Sequence, residues 1–491
     1  MNYCSPEKVG ISSKNVLNFY KKLNRFNLSI HSVIMARGNE IFSETYYAPF
    51  NKDFKHRLYS VSKSFVSLAI GFCEQDGLLS LDDKIVKFFP DYKNDNFDEK
   101  LLNTSIEDLL KMQSSKYPGA NWFVAKPDDR TAVYFSKKSE KNPGTFFYYD
   151  SSGSYILGVI VEKLTGKPFI EYLKDKVLRE IGFSEDAYCL KCPGGHSWGD
   201  SGLMVTAFDL LLTCRFVLNK GTFNGKRYLN EEYLNKATDV SGVCNNQFGF
   251  VTHGGFGYGY QFWGAPLGCF SMHGMGGQLG FMDPKHDLII VVNSDNQGNP
   301  VYYEQIYDAI YNEIVLKLED EPLIENEKDY NELEEYTKNL KLFALNEGIN
   351  NSLIEKIDGK TYVCEENACG FKWFKFEFNG KQGIFNYENE QGVKQFKFGL
   401  NYNEFCKFPE YGYSDMVGTV TEPNNLYDCA VSADCPVSHI LRIRVQIIDK
   451  YFGNLAMLFG FNGDNCSLQM VKTAEDFLSG YQGVVNSYLK K

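Results

Sequence analysis

Nine acidic residues and one lysine share the stretch from Glu319 to Glu335. A run of like charge is costly to bury, so it reads as a solvated linker or an exposed helix and not as a ligand site. The pattern of the chain changes across it. Before it, strand-like runs alternate with segments of helical period. After about Asp358 come short alternating runs divided by glycine and asparagine, such as Thr361 to Cys364, Phe371 to Phe378, Gly383 to Tyr387 and Ile440 to Ile448. That pattern is antiparallel β-structure. A length of 491 residues calls for two domains or more. The expected organisation is a first domain over 1–318, an acidic linker over 319–350, and a β-rich, barrel-like domain over 351–491. A helical tail is expected near Ala474 to Tyr481.

Composition removes several classes of function. The net charge of -11 disfavours a nucleic-acid partner, which needs a basic face. No window of about 18 uninterrupted apolar residues predicts a membrane span. The first residues, Met1 to Lys8, lack a basic region followed by an apolar run, so no secretory signal is read and a cytoplasmic location is expected. The 13 cysteines are scattered and odd in number, as reduced thiols are. Cys189-x-x-Cys192 lacks the second pair that a zinc site wants, so neither a metal nor a cofactor is expected. Abundant Asn, Lys, Tyr and Phe suggest an AT-rich, bacterial genome.

Within the first part, Ile30 to Tyr47 reads as a hairpin turning at Arg37-Gly38-Asn39. A helix follows Ser60 and ends near Asp76-Gly77. A short helix over Ile106 to Met112 is capped by Thr104 or Ser105. Residues 114–145 form a loop-rich excursion carrying Trp122. Helices are predicted over Ser154 to Leu164, Phe169 to Ile181 and Ala207 to Leu218. Gly254 to Gln261 alternates glycine with aromatics, as a twisted strand would. Strand-like runs flank His273, from Tyr260 to Phe270 and from Gly280 to Ser294. Leu288 to Val292 reads as a buried central strand. Val301 to Leu318 has helical period.

Three motifs carry chemistry. Ser60 and Lys63 are three apart at a helix start, so both side chains lie on one face. A serine hydroxyl needs a neighbour to take its proton, and a lysine can do so when burial or a nearby cation lowers its pKa. Tyr149, in Phe147-Tyr148-Tyr149-Asp150-Ser151, precedes a helix; a tyrosine serves as base when a cation such as Lys63 stabilises its phenolate. His273-Gly274-Met275-Gly276-Gly277 joins two predicted strands, and its glycines let backbone N–H groups approach a developing oxyanion.

This order of motifs resembles the serine β-lactamase and penicillin-binding superfamily, and within it the class C β-lactamase, DD-peptidase and esterase branch. Further matching residues are Pro143 to Tyr149, Ile156-Leu157-Gly158 with Leu164-Thr165-Gly166, Gly77 to Asp83, Trp198 to Leu203, and Asp283-Pro284. The resemblance spans roughly residues 5–315. It implies an α/β (α+β) domain: an antiparallel sheet flanked by helices, with a helical subdomain inserted between the Ser60 helix and the third motif. It implies Ser60 as acylated nucleophile and Lys63 and Tyr149 as proton carriers. His273 takes the place of the basic residue of the third motif. The N–H groups of Ser60 and Gly276 would form the oxyanion hole. Trp122 and Tyr149 should border the pocket, and Ser151 and Met275 should touch substrate.

The chain departs from the branch at two points. Ser151 stands where an amide-holding asparagine is usual, and some hydrolases of linear amides and esters share that Tyr-x-Ser form. The third motif reads His-Gly-Met where His-x-Gly is usual, so Met275 is expected to narrow the pocket. The expected partner is a small ester, a D-amino-acid amide or a short linear amide; a homo-oligomer is compatible with the sequence. The rival readings are a non-catalytic binding or assembly protein that keeps the fold, and a β-lactamase. Gly199-Asp200-Ser201-Gly202 resembles the nucleophile motif of chymotrypsin-like proteases but sits in a loop before a helix, out of context. The glycines at 254–259 lack the strand-to-helix spacing of a nucleotide site.

Overall fold

The computed structural model describes residues 1–93, 97–120, 129–242, 257–413, 421–475 and 477–491. The chain divides into two compact units, one running from Met1 to Lys341 and the other built from Leu342 onward.

The first unit is organised around a seven-stranded sheet. Its order is Asn2–Tyr3, Glu40–Tyr46, Ile30–Arg37, Leu288–Ser294, Gln278–Asp283, Phe270–Gly274 and Trp263–Gly264. All pairings are antiparallel except the first. The apolar run Leu288–Ser294 is buried along its whole length. It lies at the centre, pairing Val292 with Val33 on one side and Leu279 on the other. A strand apolar on both faces needs a cover on each. Residues of the Ser13–Arg25 and Tyr302–Ala309 helices share one core cluster with Val33, Ile290 and Val292. The Ala207–Leu218 helix takes the opposite face. There Gly280 leaves no room for a side chain, since a Cβ would meet Cys214 Sγ at 2.7 Å.

The helical subdomain lies between these strands in sequence. The Ser62–Gln75 helix is buried from Ser62 to Cys73 and packs against the Ser151–Thr165 helix. Gly77, at φ 72°, ends the first of these and Gly166, at φ 70°, ends the second. Left-handed backbone of that kind costs glycine nothing. Ser105 caps the Ile106–Leu110 helix in a reciprocal box with Asp108. Gln261 knits three helices together: its carbonyl accepts from Ser64 Oγ, its Oε1 accepts from Ser154 Oγ, and its Nε2 donates to the carbonyls of Leu109 and Leu110.

One sequence expectation for this unit is corrected, and one helix differs in its inner geometry. The run from Tyr260 to Phe270 is not one strand. Trp263–Gly264 pairs with Phe270 and Ser271 of the next strand, and the residues between are not strand, because Gln261 at φ 65° and Leu267 at φ 62° turn the chain on either side of Trp263–Gly264. Within 257–261 the only strand-like feature is a single bridge from Tyr258 to Trp263; the rest of the glycine-aromatic run, and Trp122, lie outside the described residues. The helix after Val301 is α-helical only over Tyr302–Ala309 and widens to a π-turn over Ile310–Ile314. In the acidic stretch, Glu327–Lys338 is a helix that buries Leu333 in the core of the first unit.

The second unit is a ten-stranded sheet closed into a barrel by the pairing of Gly399 with Ser432 and Leu400 with Ala433. Its interior is aromatic, with Phe374, Phe376, Phe385, Phe396 and Phe459 buried against one another. Its last segment is not a helical tail. Gly483–Leu489 is a strand that pairs with both Thr361–Cys364 and Asn465–Thr473. Unpaired edges are unfavourable, and this strand removes one on each neighbour.

Candidate active site

Ser60 stands where a short strand becomes a helix. His56–Arg57 pairs with Leu203–Val205. A single 3-10 turn, Tyr59–Val61, leads into the Ser62–Gln75 helix. Tyr59 sits at φ 49°, an uncommon conformation for a bulky side chain. Ser62 holds the turn: its Oγ donates to the Tyr59 carbonyl at 2.6 Å and accepts from Leu203 N–H.

Lys63 is 1% exposed and donates from Nζ to Ser60 Oγ at 2.8 Å. A second Nζ bond, 2.6 Å long, reaches the carbonyl of Asp200. The Gly199-Asp200-Ser201-Gly202 loop is thus no nucleophile. It is the strap beneath Lys63, and it also accepts Arg57 through the Ser201 carbonyl and hydroxyl. The Asp200 carboxyl is itself buried, which pushes its pKa up, while Lys63, Arg130 and Arg57 pull it back.

Tyr149 lies beside Lys63, with Nζ over its ring face 5.1 Å from the centroid. Its ring stacks on Trp263 at 5.3 Å, Trp263 on His273 at 5.6 Å, and His273 on Tyr303 at 4.5 Å. This four-ring stack joins the second motif to the third. The neighbouring Asp150 is turned away from it. Its carboxylate caps the next helix through Ser152 N–H and Oγ, while Ser151 opens that helix.

His273 is buried, and its Nε2 lies 2.7 Å from Tyr307 Oη and 2.9 Å from Ser271 Oγ. That ring edge is occupied inside the protein. Met275 is 37% exposed at the tip of the turn. Gly276 and Gly277, at φ 83° and 100°, complete it. The Gly276 carbonyl accepts from Asn296 N–H at 2.9 Å and Ser294 Oγ at 2.8 Å, so it points into the protein. Tyr302 lies behind this turn. Burial pushes its phenol up, and a backbone hydrogen bond from Gly276 offsets part of that rise.

The structure brings together Ser60, Lys63, Tyr149 and His273, which the sequence singles out, with Asp200, Trp263, Arg57 and Tyr302, to which sequence reasoning gives no role. Arg57 directly precedes the Leu58-Tyr59-Ser60 turn and could have been noticed as a charge beside a nucleophile. Trp263 and Tyr302 carried no motif. Among the described residues no group of three or more His, Cys, Asp or Glu is placed to hold a metal ion. No helix there is long and apolar enough to cross a membrane.

The Beta-lactamase family model matches residues 31–312, which hold every residue of this site. The 6-aminohexanoate-dimer hydrolase of Paenarthrobacter ureafaciens is 26% identical over 276 residues, covering 52% of this chain and 70% of that protein. Penicillin-binding protein 4* of Bacillus subtilis is 23% identical over 192 residues, covering 35% of this chain and 41% of its own. Among solved structures, EstCE1, a hydrolase with promiscuous acyltransferase activity, superposes with a TM-score of 0.50 at 18% identity, covering 61% of this chain and 98% of that one. A provisionally assigned 6-aminohexanoate-dimer hydrolase from Bacillus anthracis gives 0.51 at 21% identity, covering 64% and 87%. At those identities the two structures speak for the fold. With the sequence match across the sheet, the helical subdomain and the site between them, this chain belongs to the beta-lactamase family.

Proposed function

We propose that the chain is a serine hydrolase of the class C-like esterase branch, cleaving a small ester or linear amide through an acyl-enzyme on Ser60. The observation that carries this reading is the buried Lys63 amine, 2.8 Å from Ser60 Oγ and fixed from behind by the Asp200 carbonyl. An amine held in that way is within proton-transfer reach of the hydroxyl.

Ser60 Oγ attacks the carbonyl carbon, and its proton passes to the Lys63–Tyr149 pair when that pair is in its basic form. The tetrahedral oxyanion is held by the N–H of Ser60 and by that of Gly276, which it takes over from the Tyr302 hydroxyl. Collapse breaks the bond to the leaving alcohol or amine, which takes a proton from the same pair. Water then repeats the attack, releasing the acid and free Ser60. His273 acts as part of the aromatic wall, because its Nε2 is engaged by Ser271 and Tyr307. Ser151 in the place of the amide-holding asparagine favours linear substrates over β-lactams. The relatives named as 6-aminohexanoate-dimer hydrolase and EstCE1 support ester or amide chemistry.

The test is intact-protein and peptide mass spectrometry after exposure to a fluorophosphonate or to penicillin. A covalent adduct on Ser60, absent in Ser60→Ala, is expected with the first. Folded protein that takes no adduct from either probe overturns the reading and favours a binding protein that keeps the fold.

A further inference from the structure

The two N–H groups assigned to the oxyanion hole come from segments more than 200 residues apart in sequence, Ser60 and Gly276. Their spacing has to be fixed by something that grips both. The segment Ser294 to Gln297, leaving the end of the central strand, touches each side. Toward the Gly276 turn, Ser294 Oγ donates to the carbonyls of Gly276 and Gly277 at 2.8 and 3.0 Å. Asn296 N–H donates to the Gly276 carbonyl at 2.9 Å. Asp295 Oδ1 sits 3.1 Å from the point where a Cβ on Gly276 would stand. Toward the nucleophile, Gln297 Nε2 donates to Tyr59 Oη at 3.4 Å, and the same amide donates to Asp295 Oδ1 at 2.9 Å. The segment is itself anchored, with Asp295 N–H donating to the Ser29 carbonyl and Ser29 N–H to Asn296 Oδ1.

We infer that Gln297 is a positioning residue that ties the Tyr59–Ser60 turn to the Gly276 turn and so sets the separation of the two oxyanion donors. Tyr59 is the lever. Its backbone is held at φ 49° directly before the nucleophile, so displacement of its ring rotates the peptide that carries the Ser60 N–H. Misplacing such a donor weakens transition-state binding more than ground-state binding, because the oxyanion forms only during reaction. Gln297 acts on the chemistry through Tyr59 and Asp295.

The inference rests on the serine-hydrolase reading, and a double-mutant cycle separates the two. Wild type, Gln297→Ala, Tyr59→Phe and the double variant are compared on a p-nitrophenyl ester, with fluorophosphonate labelling of Ser60 and thermal melting alongside. Tyr59→Phe keeps the ring and removes only the hydroxyl, so it reports even if Gln297→Ala folds poorly. Each single change is expected to lower kcat and the labelling rate by about 5- to 20-fold with KM moving less than about 2-fold. The double variant is expected to be no worse than the poorer single one, since both remove the same bond. Single variants at wild-type rates, or losses that multiply, overturn the inference. A wild type that neither turns over the ester nor labels overturns the hydrolase reading instead.

Discussion

Arg57 lies face-on to Tyr59, its guanidinium carbon 4.1 Å from the ring centroid. The same carbon is 4.1 Å from the Trp198 ring, so the cation is held between two aromatic faces. Arg57 is fully buried and donates to the Ser201 carbonyl and hydroxyl. A planar guanidinium can lie flat between two rings and still donate in its own plane, a shape that the compact point charge of an ammonium does not reproduce. Arg57→Lys is therefore not conservative here. It should destabilise the first unit by about 2–4 kcal/mol and slow acylation of Ser60. Urea unfolding and fluorophosphonate labelling measure the two effects. Unchanged labelling in a folded Arg57→Lys protein would show that the sandwich does not support the nucleophile turn.

Tyr149→Phe separates the phenol from the stack. The ring can still lie on Trp263, so the melting temperature should stay within about 2 °C of wild type. Loss of a proton carrier should lower kcat by about 10²- to 10⁴-fold. A kcat within a few-fold of wild type would remove Tyr149 from the proton path and leave Lys63 alone in that role.

Gly277→Ala should be more damaging than its size suggests. The residue sits at φ 100°, and a Cβ would stand 2.3 Å from Ser294 Oγ. Ser294 cannot move without giving up its bonds to the Gly276 and Gly277 carbonyls. A cost of about 2–3 kcal/mol is expected, together with reduced turnover. Melting and ester hydrolysis near wild type would show that the turn can relax.

The buried pair His31 and His56 predicts acid sensitivity. His56 Nδ1–H donates to the Arg57 carbonyl, which leaves its Nε2, 2.7 Å away, to accept from His31 Nδ1–H. Burial pushes His56 down to about 3 and holds His31 well below its usual range, with His56 adding to the effect. Both folded values lie below the unfolded value near 6.5, so the unfolded chain takes up the protons first. Their contribution to stability is whole above about pH 6.5 and drains away as the pH falls from there toward 3. At pH 5 the loss is about 2 kcal/mol for the His56 ring, and His31 adds to it in the same direction. Urea midpoints at pH 7.5 and pH 5 should show it, and His56→Gln should reduce the slope. Equal midpoints at both pH values would contradict the neutral pair.

Much of the site was legible because its parts are local. Ser60 and Lys63 share one helical turn, and Gly276 and Gly277 form one tight turn. Each is written within a few consecutive residues, and so is the hairpin Ile30–Tyr46. Misreadings came where distant partners override local pattern. Tyr260 to Phe270 has the composition of a strand. It is broken because Gln261 is needed as a three-way hydrogen-bonding hub between helices, at a φ that no strand adopts. Ala474 to Tyr481 looked helical, but the barrel requires the chain there to turn and present Gly483–Leu489 to two waiting strands.

The sequence by itself determined that Ser60 and Lys63 share one helical face and that a mixed domain gives way to antiparallel β-structure. Those follow from helical spacing and hydrophobic period, which act along the chain. Only the tertiary structure decided that Asp200 presents its carbonyl beneath Lys63, that Tyr149, Trp263, His273 and Tyr303 form one stack, and that Arg57 and Gln297 grip Tyr59. Each of these joins groups far apart in sequence. Their meeting is fixed by the packing of the sheet and the helical subdomain, which no local rule encodes.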